Sequence, residues 1–502
     1  MDGELFDLLV IGGGINGTGV AADAAGRGLS VLLAEMDDLG GGTSSASSKL
    51  IHGGLRYLET WEFRLVREAL AEREILLERA PHIIWPMRFV LPHGPGMRPR
   101  LMVRAGLFLY DHLAKRRRIP ASASLDLARD SAGAVLRSEF RAGFAYWDCW
   151  VDDARLVVLN ARLAADKGAR IMTRTRVASL ERGPDGWTAT LEAAGSRKTC
   201  HARVVVNAGG PWADRVAALT RRNSATTAAP RLRLVKGSHI VVPRIAGAND
   251  GFLLQNPDGR VVFVLPFEGD FTLIGTTDVP FQGDPADVTC SFDEETYLIE
   301  AANRFLARPL HTSQIVWRFA GVRPLQGSED ERNPSAVSRD YQLEVDRVDQ
   351  SATILSIIGG KVTTYRRLAE AVMEQLRPDF PAMPPAWTAG RPLPGGDIPD
   401  ADFQLLLETL AGLYPGIPEA NRLLLARRHG SLTDEILGDA KSLADLGADL
   451  GAGLTEREVR YFAEHEWART ATDVLWRRTK AGLHFTSDAD REAAARRIEA
   501  LL

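Results

Sequence analysis

The chain has 502 residues, too many for one ordinary hydrophobic core, so two or three domains are expected. Hydrophobic residues make up 45% and charged residues 25%, which excludes a disordered or fibrous chain. A formal net charge of -4 gives no reason to expect nucleic acid as a partner.

Three scattered cysteines, Cys149, Cys200 and Cys290, form no CxxC pair. That argues against a disulfide framework or a zinc site, predicts no bound metal, and suits a reducing cytoplasm. No basic n-region or extended apolar h-region precedes Leu5, so no secretory signal is expected. No run approaches the roughly 18 consecutive apolar residues of a spanning helix. A soluble or peripheral membrane protein is predicted.

Leu5 to Ile11 (LFDLLVI) reads as a buried strand, followed at once by Gly12-Gly13-Gly14-Ile15-Asn16-Gly17 and a small-residue helix to Arg27. Leu29 to Ala34 reads as a second strand, ended by Glu35. Strand, glycine turn, helix, strand and acid is the order of a βαβ dinucleotide-binding unit. Gly12 permits the tight turn, Gly14 lets the backbone approach a pyrophosphate, and Gly17 lets the helix pack on the sheet. The helix N-terminus faces the phosphates, and Glu35 accepts from ribose hydroxyls. This fingerprint alone does not separate FAD from NAD.

The next segment is Thr43-Ser44-Ser45-Ala46-Ser47-Ser48-Lys49, then Leu50-Ile51-His52-Gly53-Gly54-Leu55-Arg56-Tyr57. Small polar runs are ordinarily surface loops. This one stands just after the ribose-binding acid, where a flavin's pyrophosphate and ring would lie.

Further along, Asp152 to Lys167 reads as a helix with Leu156, Leu159 and Leu163 on one face, and Ala169 to Val177 as a strand. Arg203 to Asn207 is a short apolar strand ending in Gly209-Gly210-Pro211. Runs at 239–242, 260–267 and 271–278 predict an antiparallel sheet. Residues 360–376 read as a glycine turn leading into a helix. Prolines and glycines between 381 and 400 mark a linker. Beyond it Phe403 to Tyr414 and Asn421 to His429 are amphipathic, and Thr455-x-x-Glu458 predicts a capping box before a long helix.

With these residues in hand, the chain resembles the aerobic, FAD-dependent, quinone-linked glycerol-3-phosphate dehydrogenases. The resemblance is carried by IGGGINGTGVAADAAGRGLSVLLAE and TSSASSKLIHGGLRYLE, then DCWVDDARLV (148–157), VVNAGGPWA (205–213) and KGSHIVVPR (236–244). IGTTD (274–278), GVRPL (321–325) and GGKVTTYR (359–366) extend it. It weakens beyond residue 390. One departure is Gly209, where the family leads us to expect a small hydroxylated residue; a glycine is compatible with a backbone turn against the flavin.

The resemblance implies an α/β fold: a Rossmann-like FAD-binding domain with an antiparallel β substrate domain of the D-amino-acid-oxidase type, and an all-α C-terminal cap. Residues 1–380 would hold the first two, with the β domain at roughly 70–145 and 215–345. Residues 381–400 would be the linker and 401–502 the cap. FAD would be held by Gly12, Gly14, Asn16, Gly17, Glu35, Thr43, Ser44, Ser45, Ser48, Lys49, His52, Gly53, Val177, Gly209, Gly360 and Thr363.

A phosphorylated alcohol needs fixed cations, and arginine's planar fork bonds phosphate oxygens in pairs. The resemblance points to Arg56, Arg323, Arg339 and Lys361, with Tyr57 and Thr276 as hydrogen-bond partners. His239 is the first choice of general base because an imidazole's ordinary pKa lies close to neutral. His52 is the rival, and Arg323 would also stabilise charge on the substrate oxygen. The implied reaction is oxidation of glycerol 3-phosphate to dihydroxyacetone phosphate by a peripheral enzyme on the inner face of the cytoplasmic membrane, a homodimer, with a quinone as acceptor. A glycerophosphate oxidase using oxygen, an amino-acid oxidase on the same scaffold, and a non-catalytic flavin-binding regulator are the competing readings. Two segments are candidates for lipid contact, Arg98 to Arg118 and Lys361 to Arg377.

Overall fold

The computed structural model describes residues 2–220, 232–275, 278–327, 340–347 and 352–502. Its first layer grows from the strand Glu4–Ile11, whose inner residues Leu8, Leu9 and Val10 are fully buried. This strand pairs in parallel with Val31–Ala34 on one side and with Ser196–Asn207 on the other. Arg170–Met172 and Thr353–Ile358 extend the parallel sheet outward, and Gln342–Asp346 closes one edge antiparallel. Near-continuous apolar strands are what a sheet covered on both faces requires.

The helix Ile15–Gly26 lies on this sheet against the helices Asp153–Asp166 and Tyr365–Gln375. Close packing depends on two glycines. Gly12 has φ +112, and a Cβ there would stand 2.5 Å from the Ala208 carbonyl oxygen. A Cβ on Gly17 would stand 1.9 Å from the Gly12 carbonyl oxygen, so the helix can approach the strand only without one.

The predicted strand at 169–177 is instead two pieces, Arg170–Met172 and Arg176–Gly183. Between them Arg174 takes φ +49, and the Thr175 amide turns to bond the Glu35 carbonyl. The second piece forms a hairpin with Gly186–Ala193.

A second sheet stands over the first, built from strands that include Leu232–Pro243, Val261–Phe267, Phe271–Gly275 and Trp317–Gln326. Most of its pairs are antiparallel. One is not: Gly251–Gln255 runs parallel to Ile84–His93, where the late and early chain segments meet. The helix Phe292–Asn303 covers its outer face, capped by Ser291 with Glu294 reciprocating.

The C-terminal region has its own core, including Leu425, Leu437, Val459, Phe462 and Leu475. It is helical but not wholly so, because Asp449–Gly451 and Leu454–Thr455 pair as a small hairpin. The expected capping box is only half formed. Thr455 accepts from the Glu458 amide, whereas the buried Glu458 carboxylate is taken by Arg428 and His429, and the helix Glu456–His465 has only 10 residues.

The segment 381–400 is not a loose tether. Leu393 donates to the Arg79 carbonyl, Gly395 accepts from Ser431, and Arg79 donates to the Arg391 carbonyl. Buried ion pairs join the C-terminal region to the first layer: Arg155 with Glu466, and Arg478 with Asp38. No helix among the described residues is long and apolar enough to cross a membrane.

Candidate active site

The nucleotide end of the site is the N-terminus of the helix Ile15–Gly26, capped by Gly14 without a side-chain bond. The Ile15 amide donates to Ser44 Oγ at 3.0 Å, which ties the hydroxyl loop to the helix start. Glu35 accepts from the Gly13 amide at 2.6 Å and from the Asp37 amide at 2.8 Å. Burial pushes its carboxyl above the ordinary value, against the pull of those two donors.

These residues fit FAD. Asn16 donates to the Gly359 carbonyl at 3.1 Å, yet its buried Oδ1 has no hydrogen-bond partner among the described residues. A Cβ on Gly360 would close that corner, 2.8 Å from Asn16 Nδ2. Gly209 lies in the turn after Asn207, its amide donating to Asn207 Oδ1 at 3.2 Å. A bare helix N-terminus, an acid at the end of the second strand and a glycine corner suit an adenine dinucleotide.

The hydroxyl loop is used mainly as a strut. Thr43 donates to the Val322 carbonyl and Ser47 to Asp153, while Ser45 offers its carbonyl to Lys49. Lys49 is buried with its ammonium 2.6 Å from Asp153 Oδ1, an ionic tie within the fold. Val177 likewise places its side chain in the core cluster with Phe6, Ile11 and Trp187. The side chains of Lys49 and Val177 are therefore committed to the fold, which leaves their backbone to face a cofactor.

Ser48 and His239 are brought together, Oγ to Nε2 at 2.9 Å. Register explains what faces them. In the pairing of Leu232–Pro243 with Trp317–Gln326, His239 lies opposite Phe319, Gly237 opposite Gly321, and Val235 opposite Arg323. Residues two apart share a face, so His239, Phe319, Gly321 and Arg323 lie together on one side of the sheet. That side meets the hydroxyl loop, because a Cβ on Gly321 would stand 2.9 Å from the Ala46 Cβ. His239 is buried, and burial first, then the nearby charges of Arg323 and Lys49, lower its pKa to about 3. Its imidazole is neutral across the ordinary pH range.

Arg323 holds Asp278 through its guanidinium at 2.5 Å. The acid stands in the IGTTD motif, but its pairing is a tertiary fact that spacing did not disclose. Lys361 Nζ lies 3.7 Å from the centroid of the Tyr57 ring, so GGKV and GLRY meet. Thr363 Oγ1 accepts from the His52 amide at 3.1 Å and joins the same two segments. Thr276 and Arg339 lie outside the described residues.

A cavity of about 1540 Å³ adjoins these groups. His52, Arg56, Tyr57 and Asp278 line it, and so do Trp61, Met102, Val103 and Leu109. Met102, Val103 and Leu109 belong to the helix Arg100–His112, which leaves Leu101 82% and Phe108 57% exposed. The other candidate for lipid contact fails. In Tyr365–Gln375 the apolar residues Leu368, Ala369, Val372 and Met373 are buried, and Arg366 is enclosed by Glu72 and Glu370. Its apolar face is consumed by the first layer.

Residues 7–342 match the family model of FAD dependent oxidoreductases, and residues 386–501 that of the C-terminal domain of alpha-glycerophosphate oxidase. The chain is 50% identical over 492 residues to a D-erythritol 1-phosphate dehydrogenase of Brucella abortus, covering 98% of this chain and 97% of that one. It is 51% identical over 481 residues to a glycerol-3-phosphate dehydrogenase of Pseudomonas aeruginosa, covering 96% and 92%. Among solved structures, the glycerol-3-phosphate dehydrogenase of Bacillus halodurans complexed with FAD superposes with a TM-score of 0.77 at 27% identity, over 100% of this chain and 92% of that one. This chain belongs to the family of FAD-dependent glycerol-3-phosphate dehydrogenases.

Proposed function

We propose that this chain oxidises sn-glycerol 3-phosphate to dihydroxyacetone phosphate and passes the electrons through FAD to a membrane quinone. The observation that carries this reading is the convergence of cations on one cavity: Arg56, Tyr57 and Asp278 line it, Lys361 packs on the Tyr57 ring, and Arg323 pairs with Asp278. A site with several cations suits a dianionic phosphate ester better than the single carboxylate of an amino acid.

Arg56 and Lys361 bind the phosphate, with Tyr57, Thr276 and Arg339 completing the substrate contacts. Arg323, oriented by Asp278, stabilises the charge that develops on the substrate oxygen. His239 takes the hydroxyl proton as the C–H bond breaks. It is neutral in the folded chain, but its depressed pKa makes it a weaker base than a free imidazole, so the transfer depends on the hydride leaving at the same time. FAD, when bound, supplies the acceptor for the hydride. Ser48 holds the imidazole at Nε2 and steers it.

The route onward is the apolar side of the cavity. The exposed Leu101, Phe108 and Trp61 give the helix Arg100–His112 and its neighbouring turn an apolar outer surface. Arg116, Arg117 and Arg118 follow it, as a surface resting on an anionic bilayer requires. This supports attachment to the inner face of the cytoplasmic membrane and entry of the quinone beside Met102 and Leu109.

A second reading of the substrate has equal sequence support, since the relative that acts on D-erythritol 1-phosphate is 50% identical over nearly the whole chain. The test is anaerobic mixing of the purified yellow protein with glycerol 3-phosphate, D-erythritol 1-phosphate or glycerol, following the flavin absorbance. Bleaching fastest with glycerol 3-phosphate is the expected result. Preference for the four-carbon ester moves the assignment to the second reading, and an intact flavin with all three leaves a flavin-binding protein without this activity. Re-oxidation by a quinone rather than by oxygen separates dehydrogenase from oxidase.

A further inference from the structure

The helix Arg100–His112 has a second face. Its Tyr110 is buried and reaches inward to the loop that carries Arg56 and Tyr57. The Tyr110 hydroxyl accepts from the Gly53 amide at 2.8 Å and donates to Asp148, 2.9 Å from each carboxylate oxygen. Asp148 is held in turn by Arg73 at 2.8 Å. Tyr110 thereby hands the constraint of a buried ion pair to a backbone amide it contacts directly.

Three features mark this contact as more than packing. Gly53 is flush against its neighbours, since a Cβ there would stand 2.6 Å from Leu70 Cδ2 and 2.7 Å from the Tyr110 oxygen. The loop is pinned on its other side by Thr363 at His52, so residues 52 and 53 are held from two elements while Arg56, three residues on, is exposed. Burial raises the Tyr110 phenol well above its ordinary range, which keeps the donor proton in place.

We propose that Tyr110 is a positioning residue for substrate binding: through Gly53 it sets where Arg56 and Tyr57 stand over the cavity. The inference rests on the reading of Arg56 as a phosphate-binding group. Removing the hydroxyl leaves the Gly53 amide and Asp148 each short of one buried partner, and the amide gains freedom to turn.

The test is Tyr110→Phe in the FAD-loaded enzyme, with Arg56→Ala and Asp148→Asn alongside. Stopped-flow flavin reduction against glycerol 3-phosphate concentration gives the apparent Kd and the limiting rate separately. For Tyr110→Phe the apparent Kd is expected to rise about tenfold, the size of one lost buried hydrogen bond, with full FAD content and a nearly unchanged limiting rate. Asp148→Asn keeps an acceptor for the phenol and should move Kd the same way by less. A lower melting temperature with unchanged Kd in both variants would make Tyr110 a structural residue and overturn the inference. If Arg56→Ala raises Kd while Tyr110→Phe does not, the inference falls alone. If Arg56→Ala also leaves Kd unchanged, the underlying reading of Arg56 falls with it.

Discussion

His239 and Phe319 lie face to face, their ring centroids 4.9 Å apart and their planes 12° from parallel. The stack continues outward through Trp317, 4.8 Å from Phe319, to Trp476 of the C-terminal region, 4.8 Å from Trp317. On the other side of the imidazole is Gly275, where a Cβ would stand 2.0 Å from His239 Cδ2. The ring occupies a slot that one strand opens by having no side chain and another closes with a benzene face.

That slot yields a pair of expectations. His239→Asn should slow flavin reduction by about 10²- to 10⁴-fold, the usual worth of a general base, while FAD stays bound. Gly275→Ala keeps the histidine but drives a methyl group into it, and should slow the same step at least about tenfold. Stopped-flow reduction measures both; a normal rate in Gly275→Ala would mean that ring placement is unimportant.

Stability should fall as pH drops from 6.5 to 5.5. Burial holds His239, His82 and His429 below their ordinary value in the folded protein, with positive neighbours such as Arg155 adding to the effect at His82. In that window the unfolded chain takes up protons that the folded chain refuses. Each fully depressed histidine therefore costs about 1.4 kcal/mol per pH unit once below the unfolded pKa. Denaturant titrations across the window should show a shallower slope in His82→Asn and His239→Asn. An unchanged slope in both would place the proton uptake elsewhere.

The joint between the first layer and the C-terminal region is also exposed to single substitutions. Arg155 bonds Glu466 through both terminal nitrogens, and both side chains are almost fully buried. Breaking such a pair leaves one charge without its partner in the interior, at about 3–5 kcal/mol. Arg155→Leu should lose that much in chemical unfolding, whereas replacing both partners by apolar residues should recover most of it.

Membrane attachment has its own test. Leu101→Glu with Phe108→Glu places two charges on the exposed face of Arg100–His112, away from the inward Tyr110. The double variant should no longer co-sediment with anionic vesicles yet bleach with glycerol 3-phosphate within about twofold of the parent rate. Retained co-sedimentation would assign the contact to another surface.

The nucleotide half was legible because its signals are local. A strand, a glycine turn and a helix follow one another within 35 residues, and the clash that excludes a side chain at Gly17 is with the nearby Gly12, although the one at Gly12 is with the distant Ala208. The long motifs likewise carry the family, and GGKV and GLRY each contribute one member of the Lys361–Tyr57 contact. Local pattern misled where the same residue type serves two ends. Tyr365–Gln375 is amphipathic, but periodicity does not say whether an apolar face meets lipid or another helix. Glu458 has capping-box spacing, but Arg428 and His429, distant in sequence, take its carboxylate.

From its sequence alone this protein is a dinucleotide-binding chain of α/β build, because strand, turn and helix propensities and the glycine fingerprint are set by near neighbours; its long motifs add, by resemblance, the flavin and the oxidoreductase class. Only the tertiary structure pairs Arg323 with Asp278, slots His239 between Gly275 and Phe319, and hangs Gly53 from Tyr110. Those pairings join residues tens of positions apart, and they depend on strand register and on which buried polar groups must find partners. Neither is written in any one stretch of chain; both emerge when the two sheets and the C-terminal region close on each other.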